Sequence, residues 1–340
     1  MKRVLLISPM PPLVGGVSKS SERLYNNLLV DGYDVDYYNL KFSNAKYNNA
    51  LGIVLRFFFI PFYVLFHKKY DIIHCHVPGV LRKVYISLFT CFYKRAKLIF
   101  TIHGDITGLL KSRWAMKALE KADKIICVQM GDTNRLPDEL KCKSVDIPAF
   151  IMPKNIEKEQ LPDIIKSFVD KDDNPLLLFY GAVVLRDEMF DLYGIEDTIK
   201  LYFDLRLQGE CFKLMMLITC NETDRDQVEF LDRIKAQIVG EENVCIVVNP
   251  GIEMLPLFAH AKVYLRPTKT DGDSLAVREA LYLGCGVVAS NKSVRPTGTM
   301  VYCDYVDFVD KTKQLLKTSD IKRQQDNNFY DDIRKVYESL

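Results

Sequence analysis

Short runs rich in Val, Ile and Leu alternate with helical stretches through most of this chain, and that rhythm leaves few folds open. Residues 4–8 form the first such run. Pro11-Pro12 and Gly15-Gly16 follow, then a helical pattern in which Leu24, Leu28 and Leu29 recur over residues 20–30 until Gly32 ends it. Residues 35–40, 71–74, 98–101 and 124–128 continue the series. After Asn174 it resumes with 176–181, 213–219, 244–248, 263–266 and 286–290. Strands that are apolar throughout are buried on both faces, and helices between them supply the crossovers of a parallel, doubly wound sheet. A length of 340 residues exceeds one ordinary core. The polar stretch Asp170-Lys171-Asp172-Asp173-Asn174-Pro175 reads as a linker. The expectation is an α/β chain of two domains, 1–168 and 169–340.

Composition narrows the function classes. The chain is 48% hydrophobic and 26% charged, which excludes a disordered tail, a collagen-like repeat or a polytopic membrane protein. Its net charge of +2 suggests no nucleic-acid partner. That sum conceals an asymmetry. Through Asp170 there are 25 Lys/Arg against 16 Asp/Glu, and beyond it 21 against 28. The basic half favours anionic surfaces. Nine cysteines without a CxxC pair read as buried, reduced thiols of a cytoplasmic protein. The basic-then-apolar start is too short for a signal peptide. Residues 51–66 are the most apolar stretch, short of the about 20 needed to span a bilayer, and contain Arg56 and Pro61. His67-Lys68-Lys69 follows, and a second basic-aromatic stretch runs over 82–97. Both stretches fit core helices with solvated ends, or a surface that rests peripherally on anionic lipid.

Candidate chemistry gathers at strand ends. Gly15-Gly16 sits between a strand and a helix, where backbone amides can approach an anion, yet a third glycine for a dinucleotide fingerprint is missing. His74-Cys75-His76 ends a strand with both imidazoles on one face, without a third metal ligand nearby. His74 reads equally as a satisfied core histidine. His103 ends another strand and precedes Gly104. The most informative segment runs from Arg266 through Lys269, Asp271-Gly272-Asp273-Ser274-Leu275 and Arg278-Glu279 to Leu281. There a strand leads through a loop to a helix whose N-cap is Asp273 or Ser274. Its first amides suit a phosphate. Asp271-Gly272-Asp273 has the outline of a metal-binding DxD, but this context suits a phosphate cradle, and neither a metal nor another cofactor is expected.

Taken in order, these motifs resemble the retaining glycosyltransferases of family 4. The carriers are Gly15-Gly16, Asp71-Ile72-Ile73-His74-Cys75-His76, Thr101-Ile102-His103-Gly104, Arg266-Pro267-Thr268, Asp271-Gly272-Asp273, Arg278-Glu279-Ala280-Leu281 and Arg295-Pro296. The later pieces look like a bacterial branch found in surface-polysaccharide (capsule, exopolysaccharide or lipopolysaccharide) biosynthesis. The resemblance implies the GT-B fold, two Rossmann-like doubly wound domains facing a central cleft. The final helix, about 319–340, then crosses back onto the N-terminal domain. It further implies transfer of a hexosyl or N-acetylhexosaminyl unit, with retention, from a UDP- or GDP-linked donor to a glycan or lipid-linked acceptor at the inner face of the cell membrane.

By the same resemblance, Asp271 and Glu279 stand for the family's E-x7-E acids. Glu279 holds the nucleotide ribose. Asp271 contacts the donor sugar, with Asp where the family usually has Glu. Gly15, Gly16 and His103 lie near the diphosphate and sugar, and His76 joins the substrate-binding set. The family's phosphate-binding Arg and Lys are absent, since Ala182 follows Gly181 and Tyr193 precedes Gly194. Arg186, Lys269 and Arg266 are the candidate replacements, with Gly272, Asp273, Ser274 and Leu275 as the cradle. Two alternatives stay open: a GT-B nucleotide-sugar 2-epimerase, and a non-catalytic GT-B partner subunit of another transferase.

Overall fold

The computed structural model describes residues 2–9, 16–39, 58–66, 69–76, 83–84, 86–87, 96–104, 106–153, 161–186, 190–324 and 328–340. Its principal elements are β1 (Arg3–Ser8), α1 (Gly16–Val30), β2 (Asp34–Asn39), α2 (Ile60–Phe66), β3 (Ile72–Cys75), β4 (Lys97–Ile102), α3 (Arg113–Glu120), β5 (Lys124–Cys127) and β6 (Ser144–Asp146). They continue with α4 (Asp163–Val169), β7 (Leu176–Ala182), β8 (Leu185–Arg186), β9 (Phe190–Asp191), α5 (Ile195–Leu207), β10 (Lys213–Thr219), α6 (Arg225–Gln237) and β11 (Val244–Val248). The last are β12 (Val263–Arg266), α7 (Leu275–Leu283), β13 (Gly286–Ser290), β14 (Thr299–Tyr302), α8 (Tyr305–Lys317) and α9 (Tyr330–Glu338). Contacts divide the chain into two units, Met1–Asn155 with Asn328–Leu340, and Ile156–Asn327.

The first unit holds a six-stranded parallel sheet in the order β2-β1-β3-β4-β5-β6. Alternation along each strand feeds two cores. Leu5 and Ile7 of β1 enter one with Ile73, Leu98 and Phe100, while Val4 and Leu6 enter the other with Leu24, Leu28, Ile333 and Tyr337. The second unit repeats the plan in the order β11-β10-β7-β12-β13-β14. Leu177 and Phe179 of β7 face one core, Leu176 and Leu178 the other. In each unit the first strand lies inside the sheet with its successors on both sides. The strand order therefore reverses between β1 and β3, and again between β7 and β12. In doubly wound sheets such reversals open a crevice at the carboxyl ends of the strands, where ligands bind.

Two expectations need correction. The stretch 170–175 is no linker between units. Lys213, 1% exposed on β10, donates its ammonium to the carbonyls of Val169 (2.7 Å) and Asp172 (2.6 Å) and pairs with the Asp172 carboxylate at 3.2 Å. Ile165 of α4 is buried in the core of the second unit. The stretch is thus a helix-to-strand connection inside that unit, whose boundary falls at 155/156 rather than 168/169. The final helix is also shorter than 319–340. Residues 319–324 have no regular structure, and Gln324 donates its backbone N–H to the Leu281 carbonyl at 2.9 Å. Only Tyr330–Glu338 is helical, packing Tyr330, Ile333, Val336 and Tyr337 into a core of the first unit. The structure also adds two short edge strands, β6 and β14, to the runs read from the sequence.

Lys213→Met should remove the ammonium and leave two carbonyls without a donor. The expected loss is about 2–3 kcal/mol, read as a lower urea midpoint at unchanged slope. A midpoint equal to that of the parent chain would show that the contacts carry no stability.

Candidate functional site

A row of three histidines lines the carboxyl ends of β3 and β4. His74 is fully buried; its Nδ1 meets the Tyr337 hydroxyl at 2.6 Å and its Nε2 the Thr101 hydroxyl at 2.6 Å. It is the satisfied core histidine. His76 follows β3, its ring 4.2 Å from that of His74, and its Nδ1 lies 3.0 Å from Nε2 of His103. Gly104 then turns the chain away with φ of +86°. Burial pushes the His74 ring down to about 3, with the His103 charge adding to it. Burial and the neighbouring Lys83 charge push His103 down to about 4, and His76 is held well below its ordinary value. Ser8 ends β1 with its hydroxyl 2.6 Å from that of Ser21, and Gly16 begins α1. Gly15 lies outside the described residues. Lys83 is buried and held down to about 8 by that burial, so it is not part of a lipid-facing surface as the sequence suggested.

In the second unit, the carboxyl ends of β7, β12 and β13 meet at Asp271. Its carboxylate accepts from Arg266 Nε (3.0 Å) and Nη2 (3.2 Å) and from Arg295 Nη1 (2.8 Å). Burial opposes the charge, but the two guanidinium groups outweigh it and hold the carboxyl below its usual range. Arg266 also donates to the Tyr180 carbonyl at 3.3 Å and lies over the Tyr193 ring at 5.1 Å. Arg295 is anchored on the Ser290 carbonyl at 3.1 Å. Arg295, Tyr193 and Tyr180 were not singled out as site residues from sequence, because their role depends on which strand ends are adjacent. Asp273 accepts both contacts, at 2.7 and 2.9 Å, from Arg278 Nε, and Lys269 pairs with Asp197 at 2.6 Å. Among the described residues no group of three His, Cys, Asp or Glu is placed to hold a metal ion. Arg186 stands in β8 opposite Phe190, and its side chain lies outside the described residues.

Two helices of this unit begin near those strand ends, and they differ. At α5 the Asp191 carboxylate accepts from the N–H groups of Tyr193 (3.2 Å), Gly194 (3.1 Å) and Glu196 (2.9 Å), so the first turn is occupied. Gly194 has φ of +74°, and a Cβ there would meet the Pro267 carbonyl at 2.7 Å, which fixes this loop against the one after β12. At α7 the N-cap is Ser274, not Asp273, and its side chain makes no capping hydrogen bond. Its first amides, with the positive end of the helix, are available to an anion. The Ser293 hydroxyl donates to the Gly272 carbonyl at 3.0 Å, which steadies the loop, and Leu275 opens the helix. Glu279 sits one turn further on, 4% exposed.

The histidine row makes stability pH-dependent. In the unfolded chain each imidazole binds a proton near pH 6.5, whereas in the fold all three are depressed. Between pH 6.5 and about 4 the unfolded state therefore holds more protons. Stability is complete above about pH 7 and falls as pH drops through 6.5, by up to about 1.4 kcal/mol per pH unit for each histidine. Thermal unfolding followed from pH 7.5 to 5.5 should show a falling Tm; a flat Tm would contradict the burial of these rings as neutral groups.

Comparison with known proteins accords with this layout. The family model for Glycosyltransferase Family 4 matches residues 14–147. No curated protein sequence matches. Among solved structures, a glycosyltransferase from Rickettsia africae is 16% identical, with 99% of this chain and 98% of that one covered at a TM-score of 0.66. The catalytic domain of starch synthase IV from Arabidopsis thaliana, bound to ADP and acarbose, is 13% identical with 100% and 99% covered at 0.72. Anabaena Alr3699/HepE, in complex with UDP and glucose, is 12% identical with both chains fully covered at 0.64. Over residues 14–147 the chain matches Glycosyltransferase Family 4, and over its whole length it has the GT-B fold.

Proposed function

We propose that this chain transfers a sugar from a nucleoside-diphosphate donor to a glycan or lipid-linked acceptor, with retention, in surface-polysaccharide biosynthesis. The observation that carries the reading is the contrast at the second crevice. The start of α5 is filled by Asp191, while the start of α7 is left for an anion with a buried carboxylate, Glu279, one turn behind it. A nucleoside diphosphate presents that pair of needs, a phosphate for the amides and two ribose hydroxyls for the carboxylate. Charge that develops on the leaving diphosphate falls to the α7 amides and to Arg266, Arg295 and Lys269, without a metal. Asp271 takes the sugar-facing position. Three of the roughly four acceptor sites on its carboxylate are used by arginines, which leaves one for a sugar hydroxyl. His103 and His76 serve the sugar and acceptor on the first unit. The transferred unit is a hexosyl or N-acetylhexosaminyl group, and UDP and GDP are the candidate bases.

A screen of nucleoside diphosphates and nucleotide sugars by thermal unfolding tests this, because a ligand at 100 times its Kd stabilises by about 2.7 kcal/mol. Glu279→Gln should weaken nucleotide and nucleotide sugar alike by about ten-fold, since charge-assisted hydrogen bonds contribute roughly 1.5–3 kcal/mol each. Equal affinity in both proteins would remove Glu279 from the ribose. One observation favours a second reading, a non-catalytic partner subunit: the cations of the crevice are paired, Arg266 with Asp271, Arg278 with Asp273 and Lys269 with Asp197. A partner subunit of that kind binds no donor, so the same screen separates the two.

The acceptor reading places the chain peripherally on the inner, anionic face of the cell membrane. Two features support it. Ile60 and Val64 of α2 are buried, while Phe58, Phe59, Phe62 and Phe66 are 55–80% exposed around the same turns. Between residues 41 and 97 the sequence carries nine Lys or Arg besides the buried Lys83, and one acid, Asp71. Residues 51–57, with Arg82, Lys94 and Arg95, lie outside the described residues. Aromatic rings at an interface combined with basic residues suit anionic lipid. Replacing Phe58, Phe62 and Phe66 with Ser should reduce sedimentation with phosphatidylglycerol vesicles while donor affinity stays unchanged. Undiminished sedimentation would retire the lipid reading.

A further inference from the structure

His76 has two nitrogens in different circumstances. Nδ1 lies against His103 at 3.0 Å, while Nε2 is buried without a hydrogen-bond partner among the described residues. The residue as a whole is 2% exposed. A buried polar atom left unpaired costs roughly 1–3 kcal/mol, and native structures rarely keep one without a use. The position of this one is specific. The His76 backbone N–H donates to the Ile7 carbonyl at 2.8 Å, tying it to the end of β1 beside the first strand-order reversal. The neighbouring ring, His74, is fully committed to Tyr337 and Thr101, so it cannot turn to serve His76.

The ring chemistry selects the ligand. Only one proton is shared between His76 Nδ1 and His103 Nε2. Nε2 of His76 is therefore a donor if His103 gives that proton and an acceptor if His76 gives it. A hydroxyl can satisfy either form, because it both donates and accepts. We propose that Nε2 of His76 binds a hydroxyl of a saccharide ring, so that this side chain reads the sugar while its Nδ1 holds His103 in one tautomer. This deepens the reading of the chain as a glycosyltransferase and rests on it. The hydroxyl belongs to the donor's sugar or to the acceptor's, and the two sources give different results below.

Two substitutions separate the two nitrogens. The amide of His76→Asn reaches the Nδ1 position and keeps a contact to His103 but offers nothing at Nε2. The longer His76→Gln places its amide near Nε2. His76→Asn should lower kcat/KM about ten-fold, the worth of one hydrogen bond of the usual upper size, and His76→Gln should restore part of it. A rise in KM for the nucleotide sugar identifies the donor's hydroxyl, and a rise in KM for the acceptor identifies the other. The companion measurement is made on the unmodified chain by nitrogen NMR of its histidines, with UDP-glucose, UDP-N-acetylglucosamine and GDP-mannose, each beside its free nucleotide, and with glucose and mannose as free sugars. The Nε2 resonance of His76 should move with a saccharide-bearing ligand and not with UDP or GDP alone. A parent chain that transfers sugar, with His76→Asn equally active and Nε2 unmoved by every saccharide, overturns the proposal. A parent chain without transfer or donor binding, whose Nε2 still moves with a free sugar, overturns the transferase reading and leaves the saccharide contact standing.

Discussion

Burial of both faces of a parallel sheet governs where polar chemistry can exist in this protein. The central strands β1, β3, β7 and β12 are apolar almost from end to end, because helices cover the sheet above and below. A polar side chain on such a strand has nowhere to find partners except at its ends. His76, His103 and Arg266 all stand at or just past the carboxyl end of a strand. The same packing rule that builds the core thus collects imidazoles in one unit and arginines in the other.

Asp271 illustrates how much of that chemistry is tertiary. In the sequence it is one acid of a spaced pair, and the spacing says nothing of its partners. In the fold it joins two strand ends, since Arg266 comes from β12 and Arg295 from the segment after β13, whose end Arg295 also grips through Ser290. A buried carboxylate between two arginines leaves one positive charge in excess, and losing the acid would set two buried cations against each other. The shorter Asp, where the resemblance leads one to expect Glu, fits a carboxylate held close to the sheet by guanidinium groups. Tyr193 fits the same account. It stands where a lysine is expected, and its ring lies under Arg266, so a cation reaches that loop from another strand.

Much of the fold was legible because parallel strands advertise themselves. Residues 213–219, 244–248, 263–266 and 286–290 read from hydrophobicity alone have the same limits in the structure. The edge strands β6 and β14 were not legible, since Ser144-Val145-Asp146 and Thr299-Met300-Val301-Tyr302 are three and four residues long and partly polar, whereas the edge strand β11 is an unbroken apolar run. The helical period of Phe329, Ile333, Val336 and Tyr337 located α9, but nothing in composition marked that 319–324 leaves the helix to bond Leu281. The site divides in the same way. Glycine turns, strand-end histidines and Glu279 are local patterns and could be found. Which acid caps which helix, with Asp191 on α5 and no described acid on α7, depends on loop geometry that no spacing encodes.

The last helix connects these themes. Lys2 donates to the Tyr337 carbonyl at 2.7 Å, Phe329 to that of Phe150 at 3.0 Å, and the Tyr330 hydroxyl to Asp31 at 2.7 Å. The first unit is therefore assembled from two ends of the chain, with the whole second unit inserted between them. Tyr337 also supplies the hydroxyl that fixes His74, and the His74 ring packs against His76. Without that hydroxyl, His74 would keep one buried nitrogen unpaired and only Thr101 to fix its ring. The alignment of the histidine row consequently depends on residues more than 250 positions away in sequence, and it is complete only when the C-terminal segment has docked.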